Sequence, residues 1–106
     1  MNLDDNCISK IENLGGMPCL ETLQVKRNRI GDGGLDDVVG LLEIPSLHVL
    51  NIQDNRIEDG AILPEIFKKM PNLSVLYCFN NKFCKKISPY KKTMISELPL
   101  LKYLDD

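Results

Sequence analysis

The sequence predicts an α/β solenoid, with a parallel β-sheet on its concave face and short helices on its convex side. Two observations predict this fold class. An eleven-residue pattern of apolar residues and one asparagine occurs three times within the 106 residues, and a segment with helical apolar spacing follows each copy. Strand signals that alternate with helical segments are typical of parallel sheets, and a fixed period indicates a stack of repeats.

The repeated pattern is L-x-x-L-x-L-x-x-N-x-L. Its copies are "LETLQVKRNRI" at residues 20–30, "LHVLNIQDNRI" at 47–57 and "LSVLYCFNNKF" at 73–83. Counting a partial copy at the start of the chain, the asparagines lie 22, 27 and 26 residues apart, at Asn6, Asn28, Asn55 and Asn81. This pattern, at a period of about 20 to 29 residues, is typical of leucine-rich repeats. The sequence therefore predicts a leucine-rich-repeat solenoid.

Prolines mark the boundaries of the repeats. One stands two residues before the first leucine of each strand, at Pro18, Pro45, Pro71 and Pro99. Because proline ends helices, these positions separate helix from strand. They predict a single domain with a partial repeat at 1–19, repeats at 20–46, 47–72 and 73–100, and a terminal cap strand at 101–106. Residue 1 lies within a strand, so we expect a piece of a longer solenoid that self-associates weakly through its open N-terminal edge.

The spacing of apolar residues predicts the elements between the strands. Two segments have i, i+3, i+4, i+7 spacing, at Leu35, Val38, Val39 and Leu42 and at Leu63, Ile66, Phe67 and Met70. A third has a similar stripe, at Tyr90, Met94, Ile95 and Leu98. These stripes predict helices, the third starting with Ser88 as N-cap and Pro89 in the first turn. Ile8, Ile11, Leu14 and Met17 recur every three residues, which predicts a tighter 3₁₀-like turn.

Composition narrows the class of protein. The start "MNLDDN" is acidic, unlike a targeting leader, and the nearly apolar run "VVGLL" is far shorter than the roughly 20 residues that cross a bilayer. We therefore expect a cytoplasmic protein without membrane insertion. The net charge of −2 conceals an asymmetry, since residues 1–65 carry −7 and residues 66–106 carry +5.

No residue constellation indicates catalysis, a cofactor or a metal. The four cysteines, Cys7, Cys19, Cys78 and Cys84, lack CxxC spacing and accompany one histidine, so zinc ligands are missing and we expect reduced, mostly packed thiols. The glycine-rich "GDGG" at residues 31–34 lacks the lysine of a phosphate-binding loop. We expect a binding protein rather than an enzyme.

The outward row of the sheet is the predicted protein-binding site. Alternate residues of a strand point to opposite faces, so the residues between the leucines form one surface. At its C-terminal end this surface becomes apolar and aromatic, and the candidate residues are Val49, Asn51, Gln53, Val75, Tyr77, Phe79 and Tyr103. Exposed aromatic patches commonly mark interfaces, although an additional segment of chain could also cover this one.

A basic segment, "KFCKKISPYKK", is the second candidate. Its lysines are Lys82, Lys85, Lys86, Lys91 and Lys92, and the segment contains no acid. It is either an ordinary solvated face or a surface that attracts an acidic partner, such as tubulin, phospholipid or RNA. Nucleic acid is the weakest of these alternatives, because aromatic residues are sparse among the lysines and the whole chain is acidic.

The last stretch, "SPYKKTMISELPLLKYLDD", resembles the C-terminal cap of one leucine-rich-repeat subgroup. The matching positions are Tyr90, Lys91, Leu98, Leu101, Leu104 and Asp105. The subgroup includes dynein light chain 1, the spliceosomal A-prime protein and the axonemal dynein assembly factors, and the chain most resembles these factors. The resemblance implies a non-enzymatic role in the cytoplasm, cilium or flagellum, with dynein chains or assembly chaperones as partners. The alternatives are a ribonucleoprotein scaffold like the A-prime protein, or a phosphatase-regulatory repeat protein.

Overall fold

The computed structural model describes residues 1–12 and 19–105. Within this part of the chain, four parallel strands form one sheet in the order β1-β2-β3-β4. The strands are β1 (Thr22–Gln24), β2 (Val49–Asn51), β3 (Val75–Tyr77) and β4 (Tyr103–Leu104). A single bridge from Asn2 to Gln24 continues the sheet beyond β1. The predicted fold class, a leucine-rich-repeat solenoid with a parallel sheet and short helices, is confirmed.

The inward residues of neighbouring strands are stacked in register. Leu23 pairs with Leu50, Leu50 with Leu76, and Leu76 with Leu104. All four leucines are buried, and they belong to one hydrophobic core that runs through the solenoid. Burial of a leucine contributes roughly 1.5–3 kcal/mol, so this stacked row is a main source of stability.

Buried asparagines connect one repeat to the next where the chain leaves each strand. The Asn55 amide donates to the Ile52 and Val25 carbonyls at 3.0 Å each, and its oxygen accepts the Ile30 N–H at 3.1 Å. Asn28 and Asn81 make the equivalent bonds in their repeats. Each amide thus serves groups in two repeats, as expected for a structural asparagine.

The segments between strands contain less α-helix than their spacing predicts. After β1, the chain forms two 3₁₀ helices, Gly34–Asp37 and Val39–Glu43. The buried apolar residues in and beside these helices, Val38, Leu41 and Ile44, recur every three residues, whereas Val39 is 46% exposed. Of the predicted face, Val38 is buried and both Leu35 and Leu42 pack against the core, so the prediction is wrong only for Val39. Glycines at 33, 34 and 40 disfavour α-helix, and a Cβ on Gly40 would lie 2.3 Å from the Ile11 carbonyl oxygen.

The next two segments agree better with the prediction. After β2 come one α-turn, α1 (Ile62–Glu65), and a 3₁₀ helix, Phe67–Lys69. The predicted residues Leu63, Ile66, Phe67 and Met70 are all buried. After β3 come a 3₁₀ helix, Lys82–Lys85, and the predicted helix, α2 (Tyr90–Glu97). Pro89, not Ser88, occupies the N-cap of α2.

A left-handed residue precedes each buried asparagine and recurs in the first and last copies. These residues have φ between 56° and 63°, and they are Asp5, Arg27, Asp54, Asn80 and Asp105. Neighbours in this series bond to each other, since Arg27 pairs with Asp5, and the Asn80 amide donates to Asp54. Four of the five are Asp or Asn, which tolerate this conformation better than most residues.

Other expectations have mixed outcomes. Cys78 and Cys84 are buried, but Cys7 and Cys19 are exposed, so only half of the thiols are packed as expected. From Cys7 to Glu12 the chain forms no helical turn, and Leu14 and Met17 of the predicted 3₁₀-like segment lie outside the described residues. No helix in the described part of the chain is long and apolar enough to cross a membrane.

Candidate protein-binding face

The register of the sheet places the predicted binding residues side by side. Val49 pairs with Val75, and Val75 pairs with Tyr103, which gives one outward row across three strands. Asn51 pairs with Tyr77 in the next row. Val49, Val75 and Tyr77 are half-buried, whereas Tyr103 is 44% exposed. We call this surface, with Gln53 and Phe79, the sheet face.

The aromatic residues of the sheet face form two separate ring pairs. The Tyr77 and Tyr103 ring centroids are 5.9 Å apart, with planes inclined by 56°. Phe79 lies two residues beyond β3, and its ring contacts Tyr90 of α2 at 6.1 Å. Both distances are typical of favourable tilted aromatic contacts. Phe79 is 54% exposed despite this contact, so much of its ring remains available to a partner.

Asp105 holds the end of β3 and the start of α2 together. Its Oδ1 accepts the N–H groups of Cys78 at 2.7 Å and Phe79 at 3.0 Å, while its Oδ2 accepts the Tyr90 hydroxyl at 2.5 Å. Three charge-assisted bonds to one carboxylate make a strong local contact. Asp105 therefore positions both the backbone of Phe79 and the Tyr90 ring that Phe79 contacts. We call Asp105, Cys78, Phe79 and Tyr90 the aspartate clamp.

Burial keeps two members of the aspartate clamp protonated. Burial raises the pKa of the Tyr90 hydroxyl, so it remains a donor to Asp105. Burial likewise raises the pKa of the Cys78 thiol, whose sulfur lies 3.0 Å from the Tyr90 oxygen. The resemblance to the cap subgroup points to Tyr90 and Asp105, but no sequence pattern indicates their contacts with Cys78 and Phe79. A separation of 12 to 27 residues hides these contacts from any local pattern.

The opposite end of the sheet is polar. Thr22 and Gln24 of β1 occupy the positions that Val75 and Tyr77 occupy in β3. On β2, which lies between these two strands, the Asn51 side chain accepts the Gln53 N–H at 3.1 Å. Part of the hydrogen-bonding capacity of Asn51 is therefore already used. The exposed aromatic residues of the sheet face, Phe79 and Tyr103, therefore lie at the end of the sheet formed by β3 and β4.

The lysines of the basic segment are exposed, and the segment follows Phe79 in the chain. Lys82 and Lys85 belong to the 3₁₀ helix after Phe79, and Lys91 and Lys92 belong to the first turn of α2. Lys86 faces Glu58 at 3.9 Å, so the segment is less uniformly basic in space than in sequence. Among residues 1–12 and 19–105, no three acidic, cysteine or histidine side chains are grouped so as to hold a metal ion.

Comparison with known proteins identifies the class of repeat. A family model described as "Leucine Rich repeats (2 copies)" matches residues 45–99, which is half of the chain, and a "Leucine Rich repeat" model matches residues 16–38. The chain belongs to the leucine-rich-repeat family. Leucine-rich-repeat proteins are protein-interaction modules that use an extended concave surface, and this chain has such a surface. No curated protein is significantly similar to it in sequence.

A solved structure extends the likeness to the whole fold. The fold of this protein is similar to that of one chain in the crystal structure of the Drosophila melanogaster SNF/U2A' complex. The TM-score is 0.76 and the sequence identity is 25%. The similarity covers 98% of this protein and 57% of the chain from the complex. This protein therefore spans little more than half the length of that chain. Neither the family models nor this structure points to an axonemal dynein assembly factor.

Proposed function

We propose that this leucine-rich-repeat chain holds a protein partner on its sheet face and acts as a scaffold subunit of a ribonucleoprotein. The observation that supports the proposal is the exposure of two aromatic side chains, Phe79 and Tyr103, at the apolar end of an otherwise polar sheet face. Tyrosine and other aromatic side chains supply large contact areas and are frequent hot spots of protein interfaces.

The likeness to a chain of the SNF/U2A' complex supports the ribonucleoprotein class. That similarity includes the end of the sheet, because it spans 98% of this chain. In this proposal the chain need not contact nucleic acid itself. It binds a protein that does so, which agrees with a sequence pI near 5.4.

A second candidate is a role in axonemal dynein assembly, in the cytoplasm, cilium or flagellum. The feature that favours it is the cap segment, residues 88–106, which resembles the caps of the dynein assembly factors. The bond from Tyr90 to Asp105 gives two of these cap positions a physical role. The spliceosomal A-prime protein belongs to the same subgroup, however, so the cap alone does not separate the two candidates.

Affinity capture tests both candidates. The tagged chain is incubated with extract from its own cells, and the bound proteins are identified by mass spectrometry. We expect an RNA-binding protein of the splicing machinery among proteins that the wild type captures and the Tyr77→Ala/Phe79→Ala variant does not. Dynein chains or their chaperones in that place would favour the second candidate instead.

The matched control is Thr22→Ala/Gln24→Ala. These residues occupy the equivalent outward positions on β1, at the polar end of the same sheet. We expect this variant to capture the same proteins as the wild type. Equal loss of capture in both variants would contradict the assignment of binding to the aromatic end.

A further inference from the structure

A groove lies beside the sheet face, between α2 and the outer edge of β4. It has a volume of about 320 Å³, and six residues line it: Lys91, Ile95, Leu101, Lys102, Tyr103 and Leu104. Tyr103 also belongs to the sheet face, so the two surfaces meet at this residue. The proposed function uses none of the other five.

The outer edge of β4 offers hydrogen-bonding groups to this groove. On its inner edge, the N–H groups of Tyr103 and Asp105 donate to the Ser74 and Leu76 carbonyls. Alternate residues of a parallel strand direct their backbone groups to opposite edges, so the N–H and carbonyl of Leu104 face away from β3. In the part of the chain that the structure describes, β4 pairs with β3 alone.

The walls of the groove combine positive charge with apolar surface. Neither Lys91 nor Lys102 forms an ion pair within residues 1–12 and 19–105, whereas Lys68, Lys69 and Lys86 each face a glutamate. Ile95, which was predicted to face the core, is instead 56% exposed on α2. Its exposed side chain lines the same groove as Lys91 and Lys102.

These features select one class of ligand. A strand edge pairs with the backbone of another polypeptide, which a nucleic acid or a lipid headgroup lacks. Two lysines without carboxylates favour negative charge, and Ile95 and Leu101 favour apolar side chains. We propose that the groove binds an extended acidic peptide, which pairs with β4 as an added strand and places apolar side chains on Ile95.

A labelled model peptide tests this site directly. The probe is a short fluorescein-labelled peptide in which Glu and Val alternate, and the comparison peptides carry Gln or Lys in place of Glu. We expect the Glu peptide to bind most tightly, and Lys91→Glu/Lys102→Glu to weaken it about tenfold or more in fluorescence anisotropy. Ile95→Ser should also weaken it, and the fold should tolerate this change because Ile95 is exposed.

A control pair separates the groove from the general basic charge of this region. Lys82→Glu/Lys85→Glu changes the net charge by the same amount but lies outside the groove lining. Because neither lysine lines the groove and salt screens exposed charges, this pair should weaken binding about twofold at most. Equal weakening by both pairs would overturn the groove assignment in favour of nonspecific attraction.

Hydrogen exchange tests the strand pairing. The Leu104 amide should exchange more slowly when the peptide is bound, and unchanged exchange would overturn strand addition. Sedimentation of the chain alone tests a different occupant, since a dimer that Ile95→Ser disrupts and the peptide does not displace would assign the groove to a second copy. Tyr77→Ala/Phe79→Ala should retain peptide binding, so failure of the proposed function would leave this result unaffected.

Discussion

The two faces of the same four strands follow different rules. Inward, the row Leu23, Leu50, Leu76 and Leu104 repeats one residue type, and all four side chains are buried. Outward, the row Thr22, Val49, Val75 and Tyr103 changes from polar to aromatic along the solenoid. Stacked repeats share one core, so the core requires a buried apolar residue at this position in every copy. The outward row is free of that requirement, and its variation is where a partner can be recognised.

The inward row should show the largest effect on stability. Leu50 is completely buried between Leu23 and Leu76, and Leu50→Ala leaves a cavity in the core. We expect a loss of about 2–5 kcal/mol in the free energy of unfolding, measured by urea denaturation. The control is Gln24→Ala on the outward side of β1, for which a change within about 0.5 kcal/mol is expected. Similar losses in both variants would remove the distinction between the faces.

Mutation of an asparagine between repeats should have the second-largest effect on stability. Asn55→Ala removes two donors and one acceptor from buried backbone groups, at an expected cost of about 1–3 kcal/mol. Asn55→Asp nearly preserves the shape and retains the acceptor but loses both donors, so it should destabilise the chain at least as much at neutral pH. Melting temperatures equal to that of the wild type for both variants would refute the structural role of Asn55.

The aspartate clamp should contribute less to stability than the buried asparagines do. Tyr90→Phe removes the hydroxyl that donates to Asp105 but keeps the ring that contacts Phe79. We expect a loss of about 1–2 kcal/mol, because the bond is charge-assisted but only partly buried. Asp105→Ala removes the two backbone contacts as well, so it should destabilise the chain more than Tyr90→Phe. The reverse order in thermal melts would show that Asp105 does not organise this end.

The sequence predicted the parts of the fold that depend on a repeated local pattern. The four strands, their inward leucines and the three buried asparagines follow directly from the template, because each copy meets the same environment. The segments between the strands were predicted less well. Spacing of i, i+3 fits both α- and 3₁₀ helices, and the choice at Val38 and Leu41 depends on glycines packed against another segment, such as Gly40 against Ile11.

The candidate site was predicted only in outline. Alternation along the strands placed Val75, Tyr77 and Tyr103 on one surface, and the register of the sheet brings them together. Alternation along a strand does not predict contacts between distant segments. The contact between Phe79 and Tyr90 of α2 is an example. Ile95 shows the same limit, because helical spacing placed it on the core face, whereas only Met94 and Leu98 of that stripe are fully buried.

The measurement that tests the central claim most directly combines melting and partner affinity for Tyr77→Ala/Phe79→Ala. Each ring contact removed should cost about 0.5–1.5 kcal/mol of stability beyond the apolar burial that is lost, and the chain should remain folded. The affinity for the captured partner, measured by titration calorimetry, should fall about thirtyfold or more for each side chain, as for aromatic hot spots worth about 2 kcal/mol. Unchanged affinity together with a large loss of stability would contradict the account, because the outward aromatic residues would then serve the fold rather than a partner.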